Sequence, residues 1–282
     1  MLAFSIFVSG SFTFGSLIAN EISPELLTFY RFLIATIILG VILYFNKSIY
    51  AHHLKNIWRY FVLGAIYSIY FVFMFVALKY TTTVSTAAIF TLLPLFAALL
   101  ERLFLKKSSP VLIWAALILS GMGALWIIFE GSINGLFQFR FEEGEAIFLV
   151  GTICYASYAI IQPKLFEGEN IYVTTLGVLA AGSIILAISL ILQQSSFIVH
   201  KITFEVFWVI FYLAIFASIG SITCLNYASP RLSAPVVSAY TLLVPFWVIL
   251  NDFVFFKIAP NMNMIMGAML IAFGLLILIY RS

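Results

Sequence analysis

Long, uninterrupted apolar stretches run through most of this chain, and they constrain its fold more than any other feature. Of the 282 residues, 64% are hydrophobic and 9% are charged, whereas soluble domains average about 25% charged residues. We therefore expect a lipid bilayer, not water, to be the solvent. The stretches are continuous and lack the alternation of barrel strands. The predicted fold class is all-α and integral to the membrane, because helices satisfy their own backbone hydrogen bonds.

Ten apolar stretches are candidates to cross the hydrocarbon, which requires about 20 residues per helix. Polar segments separate them, and the longest, EGSINGLFQFRFEEGE, divides the chain nearly in half. The predicted transmembrane helices are 1–20, 24–45, 57–78, 82–105, 110–129, 144–163, 171–192, 204–226, 230–256 and 261–280.

Two of these spans carry the same landmarks. TLLPLFAALLE contains Pro94 seven residues before Glu101, and TLLVPFWVILND contains Pro245 seven residues before Asp252. The prolines and the acids both align at an offset of 151 residues. Earlier in each half, SGSFTFGS resembles VGTICYAS. The chain is therefore predicted to consist of two copies of one structural unit.

Each predicted unit holds five spans, and five is odd, so the second unit must enter the membrane from the opposite side. The expected organisation is two inverted five-helix repeats, residues 1–135 and residues 136–282. Such inverted repeats are typical of secondary transporters, whose substrate sites lie between the repeats near the midplane.

Lysine and arginine residues near the span ends favour one orientation. With a cytoplasmic N-terminus, nine fall on the cytoplasmic side and five outside, together the chain's 14. Basic residues concentrate in cytoplasmic loops, so both termini are expected to be cytoplasmic. Residues 1–20 lack the basic start of a signal peptide, and we expect them to be kept as a span. The short loops favour a bacterial inner membrane.

Three segments, SPELLTFYRFLIATIIL, ALKYTTTVSTAAIFTLLPLFAALL and LNYASPRLSAPVVSAYTLLVPFWVIL, carry a family resemblance. They resemble the second, fourth and ninth helices of the drug/metabolite transporter superfamily, in its EamA-type branch. The resemblance implies an exporter or exchanger of small metabolites, often amino acids. Lys106 and Lys107 stand where that family often has a glycine–glutamate pair, so no role of that glutamate is carried over.

The two prolines and two acids are candidates for gating or coupling. Seven residues turn a helix through about 700°, so Pro94 shares a face with Glu101, as does Pro245 with Asp252. Each proline removes a backbone hydrogen bond, which predicts a hinge or cavity wall, or simply a kink. The acids are interpreted as ion pairs at the two mouths, as alternating gates, or as proton-coupling groups.

Arg31 lies about seven residues inside the second predicted span. The simplest interpretation is a side chain that extends to the membrane interface. The alternatives are an ion pair with Glu21 or Glu25, a contact that holds a loop, or a part in gating.

Polar and aromatic residues in mid-span are candidates for the substrate site, because the resemblance implies a cavity lined by spans one, three, four, six, eight and nine. Tyr67, Tyr70 and Met74 recur at helical spacing, a stripe that helix packing would also explain. The candidates are Ser11, Thr13, Phe14, Tyr67, Tyr70, Met74, Thr86, Phe90, Thr91, Tyr155, Tyr158, Gln162, Ser218, Ser221, Asn226, Ser238, Tyr240 and Thr241.

This lining is expected to be uncharged, aromatic and hydroxylic. No mid-depth cluster of lysine and arginine is present to neutralise a phosphate, which argues against sugar phosphates and nucleotide sugars. Neutral or zwitterionic solutes with apolar parts, such as amino acids, fit better.

The predicted function is secondary-active transport by alternating access, with a small-molecule substrate and the lipid bilayer as the partners. We expect no cofactor, metal or nucleic acid, because the sequence lacks their motifs. Cys154 and Cys224 are interpreted as ordinary buried thiols. The alternatives are a channel, a scaffold, or an intramembrane enzyme, although an enzyme activity is not expected. The oligomeric state stays open, a monomer included.

Overall fold

The computed structural model describes residues 1–47, 56–106, 110–129, 131–132, 143–197, 203–232, 237 and 239–281. Within these ranges the regular structure is helical, with no strand. The α-helices are α1 Leu2–Ile18, α2 Pro24–Phe45, α3 Trp58–Ala77, α4 Thr83–Phe90, α5 Leu93–Leu105, α6 Val111–Ile128, α7 Glu143–Leu165, α8 Ile171–Leu192, α9 Phe204–Ala214, α10 Ser221–Ala228, α11 Val244–Phe256 and α12 Met262–Arg281. A π-helical turn, Ile215–Gly220, joins α9 to α10, and a 3-10 turn, Tyr240–Leu243, precedes α11.

Seven segments are long and apolar enough to cross a membrane. They are Pro24–Phe45, Trp58–Ala77, Thr83–Leu105, Val111–Ile128, Glu143–Leu165, Ile171–Leu192 and Phe204–Ala228. Three shorter apolar helices, Leu2–Ile18, Tyr240–Phe256 and Met262–Leu278, stand where the first, ninth and tenth spans were predicted. The chain is therefore all-helical in its described part and has the composition of a multi-pass membrane protein.

Proline divides the fourth predicted span into two helices. α4 ends at Phe90 and α5 begins at Leu93, with Pro94 in its first turn. Pro94 has no N–H to donate to the carbonyl of Phe90, so the α-helical ladder stops there. Pro245 likewise stands in the first turn of α11, directly after the 3-10 turn.

The eighth and ninth spans also differ from their predicted forms. The eighth is not one regular helix, because the π-helical turn interrupts it. The ninth was predicted to begin at residue 230, but α10 ends at Ala228 and residues 229–232 form a turn. Pro230 contributes to this ending, because it has no N–H to donate to the carbonyl of Asn226, four residues earlier.

Helices from the two predicted repeats interleave around one shared core. α3 packs along α7 and α8, while α2 packs along α8 and α9. α1 contacts α9, α10 and α11, and α4 contacts α7 and α11. α6 lies along α12. The buried side chains form an almost continuous cluster between the two halves instead of one core in each half.

Glycines set the distance between α6 and α12. A Cβ atom on Gly123 would lie 2.8 Å from the carbonyl oxygen of Gly267, and a Cβ on Gly267 would lie 2.8 Å from the carbonyl oxygen of Gly123. No alanine fits there without separating the backbones. Helices in lipid associate through such close packing, because lipid tails are as apolar as the helix surface.

Gly123→Ala is expected to lower the thermal unfolding midpoint in detergent, because overpacking costs about 1–3 kcal/mol. Gly40→Ala is the matched control, since its Cβ would meet only Leu176 Cδ1, at 3.7 Å, and alanine favours the helix. Differential scanning fluorimetry on both variants checks this. Equal midpoints for the two variants would contradict the close approach of α6 and α12.

Candidate functional site

Four tyrosines from α3 and α7 meet at the centre of the bundle: Tyr67, Tyr70, Tyr155 and Tyr158, here called the tyrosine cluster. Tyr70 and Tyr155 stack with ring centroids 4.3 Å apart. The Tyr67 ring lies 5.9 Å from that of Tyr155 and 5.7 Å from that of Tyr158. Phe90 of α4 adds a ring 5.8 Å from Tyr155. Helical spacing places each pair on one face of its helix, and the two faces meet.

Hydrogen bonds join this cluster to α8 and α10. The Tyr158 hydroxyl donates to Asn226 Oδ1 at 2.8 Å, and Asn226 Nδ2 donates to Thr175 Oγ1 at 3.1 Å. The hydroxyls of Tyr67 and Ser221 lie 3.3 Å apart. The structure thus brings together predicted site residues from spans three, six and eight, while Thr175 on the seventh span was not predicted.

Arg31 lies beside the tyrosine cluster and is 0% exposed. Its Nε donates to Ser218 Oγ at 2.9 Å, and its guanidinium carbon lies 3.8 Å from the centroid of the Phe71 ring. The expectation that Arg31 extends to the interface is wrong. Thr28 and Ala35, which share its helix face, are also 0% exposed, so this face of α2 points into the protein.

Burial of this guanidinium is only partly compensated by the protein. Moving such an ion out of water costs several kcal/mol, while a desolvated cation–π contact returns about 2 kcal/mol and a charge-assisted hydrogen bond about 1.5–3 kcal/mol. Nη1 and Nη2 of Arg31 are buried with no hydrogen-bond partner among the described residues. Arg31 thus places a positive charge beside the tyrosine cluster, which the expectation of an uncharged lining did not include.

Other predicted site residues also carry buried polar atoms without a partner in the described part of the chain. They are Ser11 Oγ, the Tyr70 hydroxyl, and both side-chain polar atoms of Gln162. Buried polar groups in proteins are nearly always hydrogen-bonded, and an unsatisfied one costs about 1–3 kcal/mol. Buried hydrogen-bonding capacity that the protein leaves unused is a common property of ligand sites awaiting a ligand.

Asp252 is buried near the end of α11, with 5% exposure. Its Oδ2 accepts a hydrogen bond from Thr83 Oγ1 at 2.6 Å, and Thr13 lies beside the same carboxylate. Lys257, five residues after Asp252, is the basic residue that an ion pair at this mouth would use, but it is exposed and makes no ion pair with Asp252. Its backbone N–H instead bonds to the Asp252 carbonyl oxygen, in a left-handed cap with φ 59°.

Glu101 occupies the corresponding place in α5 and is 8% exposed. The backbone N–H of Lys106 bonds to the Glu101 carbonyl oxygen, again in a left-handed cap, with φ 53°. The side chains of Arg102 and Lys106 are exposed. The two acids thus share a buried position and an identical backbone cap.

Several predicted site residues lie apart from the tyrosine cluster. Thr86 and Thr91 donate their hydroxyls to carbonyls of their own helix, at 2.8 and 2.6 Å. Phe14 packs against Tyr212 and Phe255, with centroids 4.9 and 5.2 Å away.

Of the remaining predicted residues, Met74 and Thr241 are buried, and Tyr240 lines a cleft. Ser238 lies outside the described residues.

Clefts open at the two ends of the bundle. The larger, of about 710 Å³, is lined by Met1, Ile171, Tyr172, Thr223, Cys224, Tyr227, Ala228, Arg231, Leu232 and Tyr240. The smaller, of about 430 Å³, is lined by Thr81, Thr82, Val84, Ser85, Ile127, Ile128, Phe129, Ser132, Glu145, Asn261 and Met264. Neither lining includes a described member of the tyrosine cluster, and the four tyrosines are at most 3% exposed. The cluster is therefore closed to both clefts.

Ionic and polar contacts tie helices together near each end, and sequence reasoning missed them. At the end with the larger cleft, Arg59 Nη1 lies 3.3 Å from Glu167 Oε2 and 3.1 Å from Glu169 Oε1. At the other end, the Ser85 hydroxyl donates to the buried carboxylate of Glu145. The partners are distant in sequence and no local pattern indicates them.

Comparison with known proteins agrees with the resemblance of the three sequence segments. The chain matches the EamA-like transporter family over residues 1–129 and 143–280. It is 27% identical to an uncharacterized transporter, YyaM, of Bacillus subtilis (strain 168), covering 98% of this chain and 91% of the relative. It is 24% identical to an uncharacterized transporter of Archaeoglobus fulgidus, covering 97% of this chain and 94% of the relative.

The fold has a counterpart among crystal structures. One solved protein superimposes with a TM-score of 0.76 at 17% sequence identity, over 98% of this chain and 94% of the other. At that identity the likeness concerns the fold alone. The family match extends over nearly the whole sequence, and it confirms the resemblance of the helix motifs. The chain belongs to the EamA-like transporter family, within the drug/metabolite transporter superfamily.

Proposed function

We propose that this transporter is a secondary carrier that moves small neutral or zwitterionic metabolites, amino acids among them, by alternating access. The direction is export or exchange, and the membrane is a bacterial inner membrane with both termini cytoplasmic. The scaffold is two inverted five-helix repeats, residues 1–135 and 136–282, that together cross the membrane ten times.

The helix contacts support an inverted repeat. In such a repeat, span one corresponds to span six, span three to span eight, and span four to span nine. The contact between spans three and six then corresponds to a contact between spans eight and one, and both contacts are observed. The contact of span four with span six becomes that of span nine with span one, again observed. The matching left-handed caps after Glu101 and Asp252 follow the same exchange.

The observation that carries the proposal is the unused hydrogen-bonding capacity at a closed centre between two clefts. Arg31 and Tyr70 leave buried polar atoms there without partners among the described residues, and Ser11 and Gln162 do so in the same bundle. Apolar surroundings make such atoms costly. A solute bound there would supply the missing partners. A permanent pore would instead require a water-filled passage through the centre.

Counterflow in proteoliposomes tests the carrier directly. Vesicles loaded with one unlabelled solute at a time, from a panel of amino acids and related metabolites, are expected to accumulate the labelled form above equilibrium and then release it. The overshoot is expected because a carrier that has released unlabelled solute outside returns with labelled solute bound. A channel would only let the labelled solute reach equilibrium. Protein-free vesicles are the control. Saturable uptake without overshoot for every transported solute would favour the channel.

The two buried acids are expected to differ from an exposed acid in transport. Asp252→Asn and Glu101→Gln should each lower the initial uptake rate about tenfold or more, because intramembrane carboxylates are usually functional. If protons are coupled, both variants also lose stimulation by a pH gradient. Glu205→Gln, at an exposed acid in the first turn of α9, is the control. Unchanged rates at every pH in both variants would exclude gating and coupling roles.

Native Cys224 reports on the larger cleft, which it lines. In a Cys154→Ser background, a membrane-impermeant maleimide is expected to label Cys224 from the cytoplasmic side only, and saturating solute should change the labelling rate several-fold. Cys154, which lines neither cleft in the described structure, is the control in a Cys224→Ser background. A labelling rate of Cys224 that no transported solute alters would contradict alternating access at this cleft.

A further inference from the structure

The guanidinium of Arg31 has one edge that the protein does not use. Its face lies on the Phe71 ring at 3.8 Å and its Nε is bonded to Ser218. Nη1 and Nη2 remain, both buried and both without a partner in the described part of the chain. These two nitrogens form the planar edge that binds the two oxygens of a carboxylate in parallel.

The positive charge of Arg31 is also not neutralised by the protein. Arg31 makes no ion pair with any described carboxylate. The titratable groups that face it are the hydroxyls of Tyr67, Tyr70, Tyr155 and Tyr212, and tyrosine is neutral near pH 7. A buried cation is normally paired, so the missing anion is expected to come from outside the chain.

Aromatic rings pack around the guanidinium. The ring centroids of Phe32 and Phe75 each lie 5.8 Å from its central carbon, in addition to that of Phe71. The tyrosine cluster adjoins the guanidinium, and the Tyr70 hydroxyl has no hydrogen-bond partner among the described residues. An anion bound to Arg31 would therefore carry an aromatic or apolar group among these rings, with a second polar atom within reach of a hydroxyl.

We propose that Arg31 binds the carboxylate of the transported solute, and that the tyrosine cluster receives its aromatic or apolar part. The inference rests on the proposed carrier function and extends its substrate class from neutral and zwitterionic solutes to monocarboxylates, amino acids included. One cation balances one carboxylate, whereas a phosphate dianion would leave a net buried charge. This also replaces the expectation of an uncharged lining with that of a single positive charge.

Four solutes that share a phenyl group test whether a carboxylate is required for transport. They are L-phenylalanine, 3-phenylpropionate, 3-phenylpropionamide and phenethylamine. Each is measured in labelled form for counterflow by the reconstituted full-length protein, and for its shift of the thermal midpoint in detergent. Both carboxylates are expected to be preferred over the amide by about tenfold to a hundredfold, the factor for a charge-assisted hydrogen bond.

Arg31→Gln is expected to abolish this preference, and Arg31→Lys to keep part of it, since lysine retains the charge but not the planar edge. Arg59→Gln is the matched control, because it removes a buried arginine that the protein itself pairs. It should change uptake of all four solutes in proportion. If Arg31→Gln does not fold, the inference is tested by two other results. These are the wild-type preference for carboxylates over the amide and the partial loss of that preference in Arg31→Lys.

Equal transport of amide and carboxylates by the wild type would overturn the inference, as would a preference that survives in Arg31→Gln. A uniform loss for all solutes in Arg31→Gln would also overturn it, because that result indicates a purely structural role. Transport of phenethylamine alone would contradict the inference but would agree with the proposed carrier function. If no phenyl solute binds or crosses, the inference falls, and counterflow of other solutes alone decides the carrier proposal.

Discussion

The hydrocarbon offers no hydrogen-bond partner, and the rest of this structure depends on that constraint. Every backbone group must be satisfied within a helix, and most buried hydroxyls follow the same rule. Ser120, Thr152 and Ser183, for example, each donate to the carbonyl four residues earlier in their own helix. Against this background, two nitrogens of Arg31 and the amide of Gln162 are exceptions, because they have no partner within the described part of the chain. Arg31 lies where helices of the two halves meet.

Span bounds were predictable because hydrocarbon thickness sets the length of each apolar stretch. The second and seventh spans were predicted at 24–45 and 171–192, and the helices have those bounds. The interruptions were not predicted equally well. Pro94 indicated a kink, and the helix in fact breaks. No residue signalled the π-helical turn Ile215–Gly220, because one extra residue in a turn leaves the apolar composition unchanged.

The residue types of the candidate site were predictable from the sequence, but the contacts between those residues were not. Mid-span tyrosines of α3 and α7 were selected as polar aromatics in apolar surroundings, and they do meet. Their partner Phe71 was indistinguishable from any lipid-facing phenylalanine. Arg31 could have been placed from the sequence alone, since Thr28 and Ala35 share its face whereas Ile37 faces outward. Counting its distance from the helix end, without considering its face, led to the wrong expectation.

The contact between Arg31 and Ser218 connects the proposed carboxylate site to the one π-helical turn in the described residues. The Ser218 hydroxyl donates its own proton to the carbonyl of Leu213, five residues back. π-helical turns are frequent at functional sites, and a change to α-helical bonding would shift Ser218 relative to α9. A solute can drive a conformational change only through a difference in its affinity for two states. The proposed carboxylate on Arg31 would meet this requirement if the hydrogen bond to Ser218, which positions the guanidinium, were present in only one of the two states.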